Sequence, residues 1–572
     1  MDYRKEYERW LASDIVDAAT KRELRAIAGD EKEIEGRFSK PLDFGTAGLR
    51  GIMCAGLFGM NVYTVRYATQ GLANLIKSSN VEGKSGVTIS YDSRNNSDLF
   101  AREAAGVLAA NGIHVYFFES LRPTPELSFA LRETDSIAGI NITASHNPKE
   151  YNGYKVYWAD GAQLPPEHAA QVADSMIRSD IFRDVKTLNF EKALKAGFIT
   201  ILGKKMDENY LACVLQQSAN AASVKEAADF KLIYTPLHGT GYKLVPEVLK
   251  RLGAKKVITV PEQMIIDGDF PTVKSPNPDN IGTFKLAIEL AKEYDANLII
   301  GTDPDGDRCG AVVRNGDKFI MLTGNQLGVL LLDYLIQAKK EAGTLAPNSA
   351  AVKSVVSTPM ANTICQANGV AAIDVLTGFK YIGEKIKEWE SNGEHTFLFG
   401  FEESNEYLSG TYARDKDAIV ASMLLCEAAC YYACNGKTLY EVLQEMYRKY
   451  GFFKEETISI QFEGFDASDK MAAVMKQLRD EPPAAIGFPV KKIRDYSSGL
   501  ITNTATGETS PTGLPSANML FYELAGGSKA IVRPSGTEPK VKLYLMAQGH
   551  DEEGCAVALE AIRAALFKLV KE

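Results

Sequence analysis

Cysteine is scarce in this chain. The 572 residues include only eight cysteines and no Cys-x-x-Cys pair. This usage fits reduced thiols in the cytosol better than a disulfide framework. Cys426, Cys430 and Cys434 recur every four residues on a predicted helix, which leaves a metal-binding stripe as an alternative. No histidine lies nearby, so we interpret these three as small buried residues.

Long hydrophobic runs and basic clusters are missing as well. Residues 1–9 contain no apolar stretch of a secretion signal, and the apolar stretch at residues 327–336 is short and interrupted by Asp333. We therefore expect a cytoplasmic location and no membrane partner. The net charge of −9 comes without runs of lysine and arginine, which argues against nucleic acid as a partner.

Motifs that bind ATP are absent too. Residues 436–438 read Gly-Lys-Thr, like the end of a Walker motif, but Tyr431 occupies the position of the required glycine. The chain also lacks the glycine-rich loop and the His-Arg-Asp set of protein kinases. The sequence therefore predicts neither a P-loop nor a protein-kinase ATP site.

What the chain does have is a repeated alternation of strand and helix patterns. Residues 6–37 have the period of one or two amphipathic helices, and three apolar, β-rich runs separated by helical patterns follow in residues 86–142. The alternation returns in residues 231–301 and 326–401, which predicts three similar α/β units. From about residue 450 the segments are alternating and turn-rich, which indicates an α+β domain. With about 150 residues per domain, we place four domains at residues 1–208, 209–322, 323–449 and 450–572.

The first polar motif contains a candidate nucleophile. Residues 143–155 read Thr-Ala-Ser-His-Asn-Pro-Lys-Glu-Tyr-Asn-Gly-Tyr-Lys and follow a predicted buried strand. Ser145 therefore lies at a strand end, where open α/β sheets place their chemistry. Pro148 fixes its own φ and biases Asn147 toward an extended conformation, which stiffens the turn. The alternative is a serine that only caps this turn.

The second motif contains three carboxylates. Residues 301–308 read Gly-Thr-Asp-Pro-Asp-Gly-Asp-Arg, with Asp303, Asp305 and Asp307 at alternate positions. Three oxygen ligands at this spacing can converge on Mg²⁺, which prefers about six oxygens. A solvated turn is one alternative. An EF-hand loop is another, but it requires a glutamate at the twelfth position, where this chain has Arg314.

Three further loops carry groups that suit a sugar phosphate. Residues 377–383 read Thr-Gly-Phe-Lys-Tyr-Ile-Gly, and residues 401–406 read Phe-Glu-Glu-Ser-Asn-Glu after a predicted strand. Their carboxylates and hydroxyls suit vicinal sugar hydroxyls, with an ordinary acidic loop as the alternative. Residues 533–539 read Arg-Pro-Ser-Gly-Thr-Glu-Pro. Arginine, two hydroxyls and backbone N–H groups around a glycine can wrap a phosphate dianion.

These motifs, in this order, resemble those of the α-D-phosphohexomutase superfamily, most of all its phosphoglucomutase branch. The resemblance extends from about Phe44 to Val541 and includes residues 44–51, 91–94 and 236–241. It implies three similar mixed-sheet α/β domains and a C-terminal α+β domain around a central cleft. It also implies an intramolecular phosphotransferase that interconverts glucose 1-phosphate and glucose 6-phosphate through phospho-Ser145 and glucose 1,6-bisphosphate.

The resemblance implies a role for each motif. Ser145 and the three aspartates would bind Mg²⁺, and Arg50 and Arg308 would lie near the phosphoserine. The remaining loops would bind substrate through Thr377, Gly378, Lys380, Glu402, Ser404, Arg533, Ser535, Gly536 and Thr537.

The chain departs from the family pattern at one position. Bacterial members often carry a histidine two residues after the sugar-binding serine, where this chain has Glu406. The proton carrier must therefore be another group. We favour Lys155, with a pKa lowered beside Mg²⁺ in a closed site, over His146, whose alternative role is to donate to the backbone of the turn.

Several alternatives stay open at this point. Mannose or pentose phosphates would suit the same mechanism, because they differ from glucose phosphate by one hydroxyl or one carbon. A metal-dependent phosphatase and a sugar-phosphate-binding regulator are more remote alternatives. The oligomeric state is expected to be monomer or homodimer.

Overall fold

The computed structural model describes residues 2–46, 48–79, 81–462, 467–535 and 540–571. The chain forms two compact units. The first contains Met1–Leu322, Gly383–Gly393 and Asn405–Gly436, and the second contains Thr323–Ile382, Glu394–Ser404 and Lys437–Glu572.

The first unit begins with three short helices rather than the predicted one or two. They are α1 (Tyr3–Ala12), α2 (Ala18–Ala26) and α3 (Glu31–Phe38). Each follows an aspartate, Asp2, Asp17 or Asp30, whose carboxylate accepts hydrogen bonds from N–H groups of the first turn. The helices share a small core around Trp10 and Phe38, both fully buried.

A mixed sheet follows in the same unit. Its elements are β1 (Leu49–Ile52), α4 (Val62–Ser78), β2 (Val87–Tyr91), α5 (Ser97–Ala110), β3 (Val115–Phe118), α6 (Thr124–Glu133), β4 (Ala138–Ile142), β5 (Tyr151–Trp158), α7 (Pro166–Arg178), α8 (Phe190–Lys195) and β6 (Ile199–Leu202). The strand order is β1-β5-β4-β2-β3-β6. Strands β4, β2, β3 and β6 are parallel, as the alternation predicts, whereas β5 and β1 are antiparallel to their neighbours.

Strand β5 changes the interpretation of the serine motif. Residues 143–150 connect β4 to β5, but residues 151–155 are part of the strand. Lys155 is paired with Asn141 of β4, and directly opposed residues point to the same face of a sheet. The lysine is therefore held by a rigid element rather than by a loop.

The second sheet also lies in the first unit. Its elements are α9 (Lys204–Leu215), α10 (Ala221–Glu226), β7 (Lys231–Thr235), α11 (Gly241–Leu252), β8 (Lys256–Thr259), α12 (Pro261–Met264), a 3₁₀ helix (Ile281–Phe284), α13 (Lys285–Glu293), β9 (Leu298–Thr302), β10 (Cys309–Asn315) and β11 (Lys318–Leu322). The strand order is β11-β10-β9-β7-β8. The aspartate motif connects β9 to its antiparallel neighbour β10, so both ends of this loop are held by the sheet.

The third α/β region supplies α14 (Gly324–Glu341), β12 (Ser349–Ser354), α15 (Met360–Asn368), β13 (Ala371–Val375), α16 (Lys380–Asn392), β14 (Thr396–Glu402), β15 (Glu406–Leu408), α17 (Ala418–Cys434) and α18 (Leu439–Tyr450). Strand β12 pairs in parallel with both β13 and β14. The Glu-Glu-Ser loop follows β14, as the sequence predicts.

The C-terminal region is rich in antiparallel strands. It contains β16 (Phe452–Gln461), α19 (Ala467–Asp480), β17 (Ala485–Ile486), β18 (Phe488–Asp495), β19 (Leu500–Asn503), β20 (Thr509–Pro511), β21 (Leu520–Leu524), a 3₁₀ helix (Ala525–Gly527), β22 (Lys529–Pro534), β23 (Lys540–Gly549) and α20 (Glu552–Lys571). The strand order is β16-β23-β22-β21-β18-β19-β20. Leu559, Ile562 and Leu566 of α20 pack in one core with the apolar face of this sheet. The predicted α/β and α+β classes are confirmed. The exact domain boundaries stay predictions, and α9 runs across the one placed at 208/209.

The interpretation of Cys426, Cys430 and Cys434 as buried residues holds for the first two and is wrong for Cys434. All eight cysteines are free thiols, and Cys426 and Cys430 are buried in α17 while Cys434 is exposed. Among the described residues, no single helix combines the length and the hydropathy that a membrane crossing needs.

The strands around the serine motif approach each other closely at Gly153 in β5. A Cβ there would lie 2.4 Å from the carbonyl oxygen of Thr143 and 3.0 Å from that of Leu49. Both are backbone atoms of paired segments, so Gly153→Ala is expected to destabilise the protein by about 1–3 kcal/mol and to lower Tm in scanning calorimetry.

Gly36→Ala is the matched control for this substitution. Gly36 lies inside α3, and outside its own helix no described residue has an atom within 4 Å of a Cβ placed there, so the change is expected to stabilise by about 0.5–1 kcal/mol. A Gly153→Ala variant with unchanged Tm would contradict the close approach.

Candidate active site

Ser145 is held in an uncommon backbone conformation. It follows β4 after two residues, its relative exposure is 4%, and its φ is +54°. The left-handed region is costly for a residue with a side chain, and such a residue persists only where its surroundings enforce it. The contacts around Ser145 show what enforces it.

One set of contacts fixes the N–H side of the serine. The Ser145 N–H donates to Thr143 Oγ1 at 2.8 Å, and the same hydroxyl donates to Asp92 Oδ2 at 2.6 Å. Asp92 Oδ1 in turn accepts from the Arg94 N–H at 2.9 Å and from Ser97 Oγ at 2.7 Å. Asp92 therefore orients Thr143, and Thr143 orients Ser145.

Arg94 fixes the carbonyl side. Its side chain is fully buried, with Nε 3.3 Å from Asp92 Oδ2, and burial lowers its pKa. The guanidinium donates to the carbonyl oxygens of Ser145, Asn147, Pro148 and Tyr151. The resemblance of residues 91–94 to the family motif gave no role for this arginine. The structure shows that it fastens the whole serine turn.

The three aspartates are buried together beside the serine. Their carboxylates supply oxygens that all lie within 4.8 Å of one another. Asp303 Oδ1 accepts from the N–H groups of Asp307 and Arg308 at 3.0 and 2.9 Å. Asp303 Oδ2 accepts from Ser145 Oγ at 2.9 Å. The structure therefore brings the predicted nucleophile and the predicted metal ligands together.

The remaining oxygens show whether a cation fits. Asp305 Oδ2 lies 2.7 Å from Lys155 Nζ, and Asp307 Oδ2 lies 3.2 Å from Lys155 Nζ and 2.9 Å from Lys416 Nζ. Asp305 Oδ1 and Asp307 Oδ1 are buried and have no hydrogen-bond partner among the described residues. Buried unpaired carboxylate oxygens are costly. These two, with the oxygens of Asp303 and Ser145, suit a small divalent cation.

The carboxylates affect one another's protonation. Burial and the neighbouring carboxylates raise the pKa of Asp303 well above its usual value. Burial also raises the pKa of Asp307. Burial acts in the same sense on Asp305, but Lys155, Asp303 and Lys416 together outweigh burial, and the pKa of Asp305 is lowered. Repulsion within this cluster is what a bound cation would relieve.

The carboxylates beside Lys155 oppose the lowered pKa that Mg²⁺ in a closed site is expected to give it. Burial alone would lower it, but Asp305 and Asp307 outweigh burial, so the pKa of Lys155 is raised. Lys416 is buried beside the same cluster, and its pKa is raised well above the usual value, because Asp307 and Asp415 outweigh burial. Sequence reasoning missed Lys416, because the string Arg-Asp-Lys-Asp at 414–417 has the composition of an ordinary exposed charge run.

His146 lies beside the nucleophile, and Arg308 lies near His146. His146 Nδ1 is 3.2 Å from Ser145 Oγ. Burial, Arg308 and Arg50 lower the pKa of His146 well below its usual value. Its imidazole is therefore neutral at neutral pH, and it is near the nucleophile.

Glu406, the residue that departs from the family pattern, pairs with Arg308. Its Oε1 lies 2.9 Å from Arg308 Nη2. Burial opposes the charge of Arg308, but Glu406, Asp307 and Asp303 together outweigh burial, and the pKa of Arg308 is raised. Arg50 is exposed on β1, and its Nη1 donates to Asn147 Oδ1 at 3.3 Å. Both arginines are therefore placed around the serine turn, as predicted.

In the second unit, the two proposed sugar-binding loops meet. Glu402 ends β14 and is buried, and its Oε1 accepts from the Gly378 N–H at 2.8 Å. Gly378 has a φ of +123°, which favours glycine at this position. The Thr377 hydroxyl is buried without a hydrogen-bond partner among the described residues. Ser404 follows in the same loop, and Lys380 Nζ lies 4.9 Å from the Tyr381 ring.

The arginine loop belongs to the same unit. Arg533 lies near the end of β22, and the Ser535 N–H donates to the Lys540 carbonyl at 2.8 Å. Burial and the charges of Glu403 and Glu402 raise the pKa of Tyr544, and Arg533 opposes them. Arg533 and the glutamate loop therefore lie around one tyrosine. The predicted residues Gly536 and Thr537 lie outside the described residues.

Family models and several known proteins match this chain over most of its length. Residues 41–181, 208–316 and 323–450 match the family models for phosphoglucomutase/phosphomannomutase alpha/beta/alpha domains I, II and III. A phosphoglucomutase of Staphylococcus saprophyticus is 37% identical over 516 residues, covering 90% of this chain and 92% of that protein. The chain belongs to the phosphoglucomutase/phosphomannomutase family. A phosphoglucomutase of Staphylococcus aureus is 35% identical over 520 residues, covering 90% of this chain and 91% of that protein.

Solved structures of the family share the fold. A putative phosphomannomutase of Thermus thermophilus matches with a TM-score of 0.67 and 21% identity, covering 93% of this chain and all of that one. A Paramecium phosphoglucomutase, parafusin, in its open form matches with a TM-score of 0.69 and 17% identity, covering 92% of this chain and 94% of that one. The predicted superfamily and its enzymatic nature are confirmed, and the family implies a metal ion. The roles of single residues stay predictions.

Lys353 is a further buried charge that the sequence did not single out. It lies on β12, with Nζ 3.0 Å from Asp374 Oδ1. The next residue, Ser354, donates to Glu403 Oε2 at 3.2 Å. A single lysine inside an apolar strand pattern has no period of its own, so only the fold shows its pairing with Asp374 of the neighbouring strand β13.

Thr143→Val tests the contacts that hold Ser145. The change keeps the shape but removes the hydroxyl between Ser145 and Asp92, so we expect a loss of about 1–3 kcal/mol in the free energy of unfolding, measured by chemical denaturation. Thr143→Ser keeps the hydroxyl and is expected to stay within about 0.5 kcal/mol of wild type. Equal stability of the two variants would show that the strained serine does not depend on this hydroxyl.

Proposed function

We propose that this protein is a phosphoglucomutase that interconverts glucose 1-phosphate and glucose 6-phosphate through a phosphorylated Ser145. The observation that carries the proposal is the contact between Ser145 Oγ and Asp303 at 2.9 Å inside a buried cluster of three aspartates. A nucleophile and a cation site in one place are what phosphoryl transfer requires. Relatives at 35–37% identity over most of the chain bear the name phosphoglucomutase, which supports the same activity.

The reaction begins with phospho-Ser145. The bond between Ser145 Oγ and phosphorus breaks as O6 of glucose 1-phosphate forms its bond to the same phosphorus, and the O6 proton passes to a base. Glucose 1,6-bisphosphate results and reorients. Ser145 Oγ then forms its bond to the phosphorus of the 1-phosphate as the bond from that phosphorus to O1 breaks, and O1 takes a proton back from the base, which leaves glucose 6-phosphate. The left-handed backbone at Ser145, held by Thr143 and Arg94, keeps the oxygen fixed through both transfers.

Mg²⁺ would be held by Asp303, Asp305 and Asp307, together with an oxygen of Ser145 or of its phosphate. The ion supplies positive charge to the transferring phosphoryl group when it is bound. Arg308 is held by Glu406 at 2.9 Å, which keeps a second positive charge beside the serine turn.

Proton transfer is assigned to the buried basic groups around the serine. Lys155 remains our choice for the base that receives the O6 proton. Its ammonium is stabilised by Asp305 and Asp307, so any of their charge that a cation takes up lowers the lysine pKa toward the range of a base. Lys416 faces Asp307 in the same way, and neutral His146 lies 3.2 Å from Ser145 Oγ.

We assign recognition of the sugar, and of the phosphate that does not react, to residues of the second unit. Glu402 and Ser404 would bind sugar hydroxyls, with Thr377, Gly378 and Lys380 beside them. Arg533, Ser535, Gly536 and Thr537 would bind the distal phosphate. We further propose glucose 1,6-bisphosphate as activator, sugar phosphates as small-molecule partners, a cytoplasmic location and a monomer or homodimer.

Ser145→Ala is the first test of the mechanism. With Mg²⁺ and a trace of glucose 1,6-bisphosphate, wild type is expected to convert glucose 1-phosphate to glucose 6-phosphate, and the variant to lose this activity by at least about 10⁴-fold, because it has no oxygen to phosphorylate. Mannose 1-phosphate and ribose 1-phosphate, assayed in parallel, rank the sugars.

Ser136→Ala is the matched control, because Ser136 is a buried serine that bonds Thr88 and not the cation loop. Release of free phosphate without isomerised product would favour a phosphatase. Isomerisation that survives in Ser145→Ala would refute the phosphoserine mechanism.

Arg533→Gln tests the distal phosphate loop. Loss of a charge-assisted hydrogen bond of about 1.5–3 kcal/mol is expected to raise KM for glucose 1-phosphate about 10- to 100-fold. Phosphorylation of Ser145, followed by intact mass spectrometry, should persist. Arg494→Gln, which removes an arginine paired with Glu523 in the same sheet, is the control. An unchanged KM in Arg533→Gln would exclude this arginine from substrate binding.

A further inference from the structure

Thr124, at the start of α6, makes two contacts with the middle aspartate of the cation loop. Its N–H donates to the Asp305 carbonyl at 2.8 Å, and its hydroxyl donates to Asp305 Oδ2 at 2.9 Å. The side chain is fully buried. One residue thus fixes both the main chain and the carboxylate of Asp305, and neither the motifs nor the proposed mechanism assigns it a role.

The direction of these hydrogen bonds is determined by chemistry. Asp305 faces the Lys155 ammonium at 2.7 Å, so its carboxylate is ionised and has no proton to donate. The one hydroxyl proton of Thr124 must therefore point to Asp305. Asn141 Nδ2 lies 2.8 Å from the same hydroxyl oxygen and donates to it, which leaves the hydroxyl no other orientation.

The consequence is a fixed rotation of the Asp305 carboxylate. Oδ2 accepts from both Thr124 and Lys155, so its two lone pairs are used. Oδ1 is left buried without a partner among the described residues. Lys155 alone would not fix this rotation, because its ammonium is shared with Asp307 at 3.2 Å. The neutral hydroxyl of Thr124 bonds only the one carboxylate.

Asn141 connects this arrangement to the nucleophile. It lies on β4, the strand that leads into the Ser145 turn, and it is paired with Lys155 on β5. The same pair of strands therefore places the serine, the lysine and the amide that orients Thr124. A ligand held by a chain of buried hydrogen bonds to a rigid sheet loses little freedom when a cation binds.

We propose that Thr124 is a positioning residue for the cation site: its hydroxyl, oriented by Asn141, turns Asp305 Oδ1 toward the bound ion. This inference rests on the cation site in the proposed function and adds to it two residues that contact neither the ion nor the substrate. Partners of this kind contribute about 10- to 100-fold to metal affinity.

The experiment measures binding of Mn²⁺, as a probe for Mg²⁺, to the purified full-length protein by electron paramagnetic resonance. Thr124→Val keeps the shape and the backbone N–H but removes the hydroxyl, and it is expected to raise the Kd for Mn²⁺ about 10- to 100-fold. Thr124→Ser is expected to rescue binding to within about threefold of wild type, because it restores the same hydroxyl.

Two further variants make the result specific. Thr88→Val removes a buried hydroxyl that bonds Thr134 and Ser136, and it should leave the Kd unchanged. Asn141→Leu leaves Thr124 in place but frees its hydroxyl to rotate, so a weaker loss of Mn²⁺ affinity is expected. If Thr124→Val does not fold, as judged by circular dichroism and Tm, Asn141→Leu is used to test the inference instead.

The outcomes separate this inference from the function on which it rests. Wild-type protein that binds no Mn²⁺ would refute the cation site and with it this role for Thr124. Wild-type binding with an unchanged Kd in folded Thr124→Val and Asn141→Leu would overturn the inference and leave the mutase proposal intact. Loss of affinity that Thr124→Ser does not rescue would also overturn it, because the hydroxyl would then not be the cause.

Discussion

The first unit is organised around a concentration of buried negative charge. Asp303, Asp305 and Asp307 are almost completely excluded from solvent, and burial of ionised groups costs several kcal/mol each unless they are compensated. Lys155 and Lys416 compensate part of this charge and are themselves buried because of it. The two carboxylate oxygens without a partner among the described residues show that compensation by side chains is incomplete. The negative charge that the lysines leave uncompensated destabilises the cluster. The same charge suits it to bind a divalent cation and, through that cation, a phosphoryl group.

The nucleophile depends on a different kind of constraint. Ser145 has a left-handed backbone, and the strain is balanced by hydrogen bonds at both its N–H and its carbonyl, from Thr143 and Arg94. Because Arg94 also bonds three other carbonyl groups of the turn, the serine cannot relax without breaking the whole set. Strained backbone at a reactive residue is a form of preorganisation, since the geometry needed for transfer is already present before substrate binds. Backbone strain is smaller in the second unit. There Gly378 has a positive φ, which glycine tolerates, and this conformation allows its N–H to reach Glu402.

Much of the site was accessible from short strings of sequence. The order Ser145 motif, aspartate loop, glutamate loop and arginine loop identified the family, and alternation of apolar and helical patterns gave three α/β regions before an α+β region. These features are local: they depend on strand ends, turn residues and ligand spacing, all of which act over a few neighbouring positions. The missed features are not local. Strand β5 was not predicted, because polar residues and a glycine interrupt the apolar pattern at residues 151–155, and its pairing with β4 is visible only in the fold.

The sequence by itself determined the family, the fold class and the chemical types of the reacting groups, because these are written in contiguous motifs. Tertiary structure alone decided which groups face each other. It showed that Asp305 and Asp307 raise the pKa of Lys155, that Lys416 also contacts Asp307, and that Glu406 pairs with Arg308. It also brought Thr124 to Asp305, 181 positions away along the chain. Protonation and orientation depend on distances of a few ångströms between segments that are remote in sequence, and no periodicity or spacing within one segment contains those distances.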